Sequence, residues 1–173
     1  MSEIVRIPGE RINVLIGKKG QTKKRIEEKC KVKLKITDEE VEIDGEPDKI
    51  FFAVEVIKAI GRGFEPRKAL QLIKEGFALY IVPLREALPT ENAISRIKGR
   101  IIGEDGKIKK EIESATESHI SIYGHTVAII ARIETIEYAK EAIYKIIEGS
   151  PHSTVLNYLS RARREIMDAK FRT

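Results

Sequence analysis

The sequence predicts an α+β protein of two similar modules, each running strand, helix, helix, strand, strand, helix, with one more helix after the second. Three observations carry this prediction. First, Ile16-Gly17-Lys18-Lys19-Gly20, followed by Gln21-Thr22-Lys23-Lys24-Arg25-Ile26-Glu27, returns as Ile102-Gly103-Glu104-Asp105-Gly106 followed by Lys107-Ile108-Lys109-Lys110-Glu111-Ile112-Glu113. The isoleucines, glycines, paired lysines and final glutamate stay in register. Second, the apolar residues around each copy change between a period of two and a period near 3.6, the marks of half-buried strands and amphipathic helices. Third, 173 residues suffice for two units of about 80 residues, a size that buries a modest core without staples. The chain divides into a first module over 1–63, a helical linker over 64–76, a second module over 77–149 and a C-terminal helical extension over 150–173.

Residues 3–8 alternate Ile4, Arg6 and Pro8 against Val5 and Ile7, a short strand that Pro8 closes. From Gly9-Glu10-Arg11 the chain places Ile12, Leu15 and Ile16 at helical spacing, and Gly17 stops that helix as a left-handed residue does. Residues 21–30 form a second helix with Ile26 and Cys30 inward and the basic residues outward. Val32, Leu34 and Ile36 alternate with Lys33 and Lys35, a strand with one buried and one basic face. Thr37-Asp38-Glu39-Glu40 turns into the strand Val41-Glu42-Ile43. Asp44-Gly45-Glu46-Pro47 then opens a long helix that buries Ile50, Val54, Ile57 and Ile60 and ends near Gly61-Arg62-Gly63.

The linker carries a short helix through Pro66 and Leu70 and ends at Glu75-Gly76. Residues 78–84 are the next strand, and Pro89-Thr90-Glu91-Asn92 caps a helix carrying Ile94, Ile97 and Ile101. The helix after Gly106 ends near Glu117, residues 120–123 and 126–130 form a hairpin around Gly124-His125, and Ile136, Ala139, Ile143 and Ile146 line a closing helix. After Gly149-Ser150-Pro151, Ser153 is expected to cap a last helix whose apolar line is Val155, Leu159, Ala162 and Ile166. That line is expected to pack on the second module or the junction. Arg161, Arg163, Arg164, Lys170 and Arg172 either extend a basic surface or form a solvated face.

An apolar fraction of 42% supplies a core, and the single Cys30 excludes an internal disulfide framework. Nothing resembles a signal peptide or lipidation signal, and the longest apolar run, 77–84, is too short to span a bilayer, so a cytoplasmic protein with no membrane contact is expected. The net charge of +5 is less telling than its distribution: from Gly17 to Lys35 there are nine Lys or Arg against two Glu, whereas 38–48 holds seven acids and no base. A solvated face in a highly charged protein accounts for such a run as readily as a partner does. Its place beside the glycine turn favours an anionic partner.

No catalytic constellation is legible. His119, His125 and His152 fall in a strand, a hairpin turn and a loop after a helix, without the spacing of a zinc site, and no metal or cofactor is expected. Cys30 is expected in the core, without a reactive role. The glycine turns lack the Lys-Ser or Lys-Thr of a nucleotide-binding P-loop, and they follow helices where a dinucleotide fingerprint follows a strand.

A Gly-x-x-Gly turn between two helices lets a sugar-phosphate chain approach closely and adds the partial positive charge of a helix N-terminus. Entered by a helix, left by a basic helix and followed by an alternating strand, twice over, these turns give both halves of the chain a resemblance to type I KH domains, over residues 3–149. The resemblance implies two tandem KH domains whose loops clamp the backbone of about four nucleotides of single-stranded RNA while bases lie in an aliphatic groove. Carried onto this sequence, the RNA-binding residues are Ile16, Gly17, Lys18, Lys19, Gly20, Lys23 and Lys24 in the first module. In the second they are Arg100, Ile102, Gly103, Glu104, Asp105, Gly106, Lys107, Lys109 and Lys110. Leu15, Ile16, Ile26, Leu34 and Ile36 are expected near the groove, with pure core the alternative for Ile26. The low aromatic content, 6% with no Trp, argues against stacking platforms. Glu104 and Asp105 place acids where a phosphate should lie, each costing about 1 kcal/mol at exposed distances. Arg96, Lys98 and Arg100 before that loop and Lys107, Lys109 and Lys110 after it offset the cost, or else the loop faces a protein.

Lys23 and Lys109 stand where KH domains ordinarily carry an apolar residue. With 63–70 (GFEPRKAL), 96–107 (RIKGRIIGEDGK) and 149–152 (GSPH), they make the chain similar to the archaeal Dim-two, or partner-of-Nob-one, family of small-ribosomal-subunit assembly factors. That similarity implies a non-catalytic protein binding single-stranded RNA at the 3′ end of small-subunit rRNA. It also implies partners among a Nob-type endonuclease, the dimethyladenosine transferase and initiation factors, with the second module a principal RNA contact. The rival expectation is a protein–protein adaptor whose KH surfaces dock assembly or translation-initiation factors.

Overall fold

The computed structural model describes residues 1–172. They form two compact units, the first ending at Leu79 and the second beginning at Tyr80. The first contains β1 (Ser2–Arg6), α1 (Gly9–Ile16), a 3-10 turn (Lys18–Gly20), α2 (Gln21–Cys30), β2 (Lys33–Thr37), β3 (Glu40–Asp44) and α3 (Pro47–Gly61). Its strands form an antiparallel sheet in the order β1-β3-β2, with Val5 opposite Val41 and Leu34 opposite Ile43. Those four side chains are buried, and α1, α2 and α3 bring Ile12, Leu15, Ile26, Ile50, Val54, Ile57 and Ile60 to the same core. Residues 64–76 fold onto α3 as α4 (Pro66–Ala69) and a 3-10 turn (Leu70–Ile73), burying Phe64, Ala69, Leu70 and Leu72.

The same order returns with β4 (Phe77–Pro83), α5 (Leu84–Ala87), α6 (Glu91–Ile102), a 3-10 turn (Glu104–Gly106), α7 (Lys107–Thr116), β5 (His119–Tyr123), β6 (Thr126–Arg132) and α8 (Ile136–Ile147). The sheet order is β4-β6-β5. Thr90 caps α6 by accepting the Ala93 N–H at 3.1 Å. The one-turn helix α5 has no counterpart in the first module and is too short to leave a periodic signal.

Helix α9 (His152–Phe171) buries Val155, Leu159, Ala162 and Ile166 against α7 and α8. It starts two residues earlier than expected: Pro151 holds the N-cap position in place of Ser153, and His152 lies in the first turn. Arg163 bonds Glu111 at 2.7 Å and Ser114 at 3.2 Å, and Lys170 bonds Glu117. The sequence of α7 accounts for this partner. Its outer face offers buried Ile108 and Ala115, whereas the matching positions of α2 are Thr22 and exposed Lys29.

Each module ties the helix before its glycine turn to the end of the helix after its last strand through one arginine. Arg11 donates from Nε to the Ile60 carbonyl at 2.7 Å and from a terminal nitrogen to that of Phe64 at 2.9 Å. Arg100 bonds the matching carbonyls of Ile146 and Ser150 at 3.2 and 2.6 Å, although it sits one helical turn later in its own helix. These carbonyls lie at a helix C-terminus, where a cation and its forked donors satisfy groups the helix leaves unpaired. Arg100→Ala is expected to destabilise the second module by about 2–3 kcal/mol, since each charge-assisted bond contributes about 1.5–3 kcal/mol. Urea unfolding followed by a probe in that module measures it, and Arg100→Lys, without the fork, is expected to recover less than half.

Candidate nucleic-acid interface

The two glycine turns have the same backbone. Gly17 (φ 72°, ψ −178°) and Gly103 (φ 74°, ψ 173°) lie in a region open essentially only to glycine. Lys19 and Asp105 follow, both at φ 55°, and Gly20 and Gly106 at φ 74° and 75° complete the turn. The hydrogen bonds repeat as well: the Gly17 N–H donates to Asn13 at 2.9 Å and the Gly20 N–H to Gly17 at 3.3 Å, matched by Gly103 to Gly99 at 2.9 Å and Gly106 to Gly103 at 3.2 Å. The two glycines of a turn have different duties. A Cβ on Gly17 would lie 2.2 Å from Thr22 Oγ1, and one on Gly103 would lie 2.5 Å from Ile108 Cγ1. One on Gly20 would meet nothing within 4 Å, and one on Gly106 only Lys110 Cε at 3.8 Å. The first glycine packs against its own module; the second keeps the surface bare.

Charge separates the turns. Lys18 and Lys19 are exposed on one, Glu104 and Asp105 on the other. Asp suits the left-handed position 105 better than a long side chain does, because its short carboxylate bonds locally. After each turn the paired lysines keep their places, Lys23 and Lys109 half-buried and Lys24 and Lys110 exposed; Lys107 is exposed too. Lys109, Lys110, Gly106 and Glu113 line a groove whose apolar floor is Ile102, 38% exposed, and Ile122. Ile16 and Ile36 hold the matching places in the first module, both half-buried.

The recurring glutamate fixes each groove. Glu27 accepts the Leu34 N–H at 2.9 Å and Glu113 accepts the Ile120 N–H at 2.9 Å, so the basic helix is tied to the strand beside it at the same point in both modules. Ile122 was not singled out by sequence, and Glu27 and Glu113 only as a glutamate that recurs in register, without a role. Of the expected site residues, Arg100 stands apart from its loop, its guanidinium bonded at the end of α8 and its carbonyl 3.0 Å from His152 Nε2. Lys98 is likewise engaged, donating to the Gly124 carbonyl at 2.9 Å.

The hairpin tip at Gly124-His125 is held from α5 and α6. Arg85 Nε donates to His125 Nδ1 at 3.3 Å, which leaves Nε2 to donate to Glu91 at 3.0 Å. That bond, with Arg85 beside it, keeps the Glu91 carboxyl below the ordinary carboxylate range. Burial pushes the Cys30 thiol up to about 11, away from reactive thiolate chemistry. Among the described residues no three His, Cys, Asp or Glu come together in a way that could hold a metal ion, and no helix is long and apolar enough to cross a membrane.

Two family models match the chain, a KH domain over residues 2–59 and a eukaryotic-type, type I KH domain over residues 79–164. A KH domain-containing protein of Methanocaldococcus jannaschii is 41% identical over 98% of this chain and 77% of its own length. The crystal structure of Dim2p from Pyrococcus horikoshii superposes with a TM-score of 0.88 and 44% identity, covering 93% of this chain and 99% of that one. The chain belongs to the Dim2, or partner-of-Nob-one, family. A second structure of that family, from a complex of a/eIF2α, aDim2p and rRNA of Pyrococcus horikoshii, matches with a TM-score of 0.89 and 43% identity over 95% of both chains. Among eukaryotic members, the pre-rRNA-processing protein PNO1 of Chaetomium thermophilum is 30% identical over 76% of this chain, which spans about half of that longer protein (54%). The Dim2 fold accounts for both KH modules together with α9.

Proposed function

We propose that this chain is an RNA-binding factor of small-ribosomal-subunit biogenesis that holds single-stranded RNA at the 3′ end of small-subunit rRNA. It acts in the cytoplasm and without catalytic chemistry of its own. The observation that carries this reading is the pair of superposable glycine turns, each opening a lysine-bearing helix beside an aliphatic groove, in a chain 43% identical to one crystallised with rRNA. The backbone of both turns leaves space over Gly20 and Gly106 for a phosphate, and the lysines after them supply counter-charge. Arg100 is engaged within the fold, its guanidinium on the Ile146 and Ser150 carbonyls. Protein partners fit the same reading, since the relative's complex also contains a/eIF2α; a Nob-type endonuclease and the dimethyladenosine transferase are the others.

Because the turns share one backbone, their charges can be exchanged without disturbing it. Lys18→Glu with Lys19→Asp gives the first turn the side chains of the second. Titration of a small-subunit rRNA 3′-end oligonucleotide at several salt concentrations is expected to show affinity falling about 10-fold or more, with the slope against log salt shallower by about 1.4. Glu104→Lys with Asp105→Lys is expected to move both quantities the opposite way. Affinity indifferent to salt and to both exchanges would remove the clamp reading.

A further inference from the structure

The two grooves differ in length. In the second module the groove occupies about 340 Å³ and ends at Glu113 and Ile122. In the first a hollow of about 820 Å³ shares the Gly20, Lys23, Lys24 and Glu27 wall, leaves out Ile16 and Ile36, and runs instead along α2 to Lys31, Lys33 and Gly45. The helical rise puts Lys31 about 16 Å beyond Gly20.

The cause lies in two positions and one helix. Lys31 corresponds to Glu117, which Lys170 of α9 engages, and Lys33 corresponds to His119. The helix and turn that follow α3 pack on α3, and both lysines are exposed. Three carboxylates share the groove. Glu27 is held on the Leu34 N–H, which leaves Glu28 and Asp44 facing four lysines, Lys23, Lys24, Lys31 and Lys33. A channel with bare backbone at one end and exposed lysines at intervals along its wall suits a flexible polyanion better than a compact anion.

We propose that the first module binds a longer stretch of strand than the second, with Lys31 and Lys33 holding phosphates of the same RNA beyond those at the Gly17–Gly20 turn. This rests on the RNA-binding reading above and adds a segment to it. The segment is electrostatic, so its contribution is sequence-independent and grows with oligonucleotide length.

The test uses the full chain and rRNA 3′-end oligonucleotides shortened from about twelve to about four nucleotides, the length of one clamp. Lys31→Asn with Lys33→Thr removes both charges; Asn accepts the left-handed backbone of position 31, at φ 57°, and Thr suits a strand. For the longest oligonucleotide the slope of log affinity against log salt is expected to be shallower by about 1.4 in the variant, and for the shortest the two proteins are expected to agree. Lys31→Arg with Lys33→Arg is expected to retain the native slope. Equal slopes at every length, with native binding still salt-dependent, would overturn the longer groove and leave the clamp reading standing. Loss of slope in the Arg pair would overturn it as well, because charge would then not be the cause. Native protein without salt-dependent binding would remove both.

Discussion

Truncation after Gly149, which removes α9, is expected to unfold the second module. Val155, Leu159 and Ala162 are at most 1% exposed and Ile166 is 7% exposed, all against α7 and α8. Burying one Val, Leu or Ile side chain stabilises by about 1.5–3 kcal/mol, so the three larger ones contribute roughly 5–9 kcal/mol as an upper estimate. That is comparable with the whole stability of a small domain, about 5–15 kcal/mol. The loss also leaves Glu111 and Glu117 without Arg163 and Lys170. Limited proteolysis read by mass spectrometry should find cleavage within 80–149 in the truncated chain and little there in the intact one. Leu159→Asp, a charge placed in the same seam, is expected to act in the same direction; protection of 80–149 in both variants would show that α9 is dispensable.

The second large effect separates the glycines of each turn. Gly17→Ala and Gly103→Ala are expected to cost about 3 kcal/mol or more, combining an overpacking cost of about 1–3 kcal/mol with a backbone that only glycine adopts readily. The new methyl would press on Thr22 in one module and on Ile108, including its backbone nitrogen at 2.9 Å, in the other. Gly20→Ala and Gly106→Ala carry only the left-handed penalty, about 1–2 kcal/mol. Urea midpoints for the four variants give the order directly. If all four lose the same stability, packing beneath the first glycine is not what fixes the turn.

Much of this was legible in the sequence because it was written twice. Period-two and period-3.6 patterns placed the strands and long helices, and the recurrence of Gly17-x-x-Gly20 as Gly103-x-x-Gly106 located the turns before any coordinate did. What stayed hidden falls into two kinds. Elements of a single turn, such as α5, carry too few residues for a period. Bonds between distant positions have no local signature: Arg100 reads as one more cation before a loop, and only the fold brings it to carbonyls 46 and 50 residues away. The exchange of Ile108 and Ala115 for Thr22 and Lys29 did distinguish the covered helix from the bare one, but its meaning depends on knowing that α9 lies there. The same holds for Lys31 and Lys33, visible as part of a basic run and given a place only by the groove.

The carboxylates of Glu27 and Glu113 do more than set groove width. Each accepts an N–H from the outermost strand of its sheet, β2 or β5. An outer strand with free N–H groups is a template on which another chain can add a strand and begin to aggregate. With Leu34 and Ile120 already bonded by a neighbouring helix, each sheet withholds one rung of that template, and the residue that shapes the groove also keeps neighbouring molecules from zipping together at its edge.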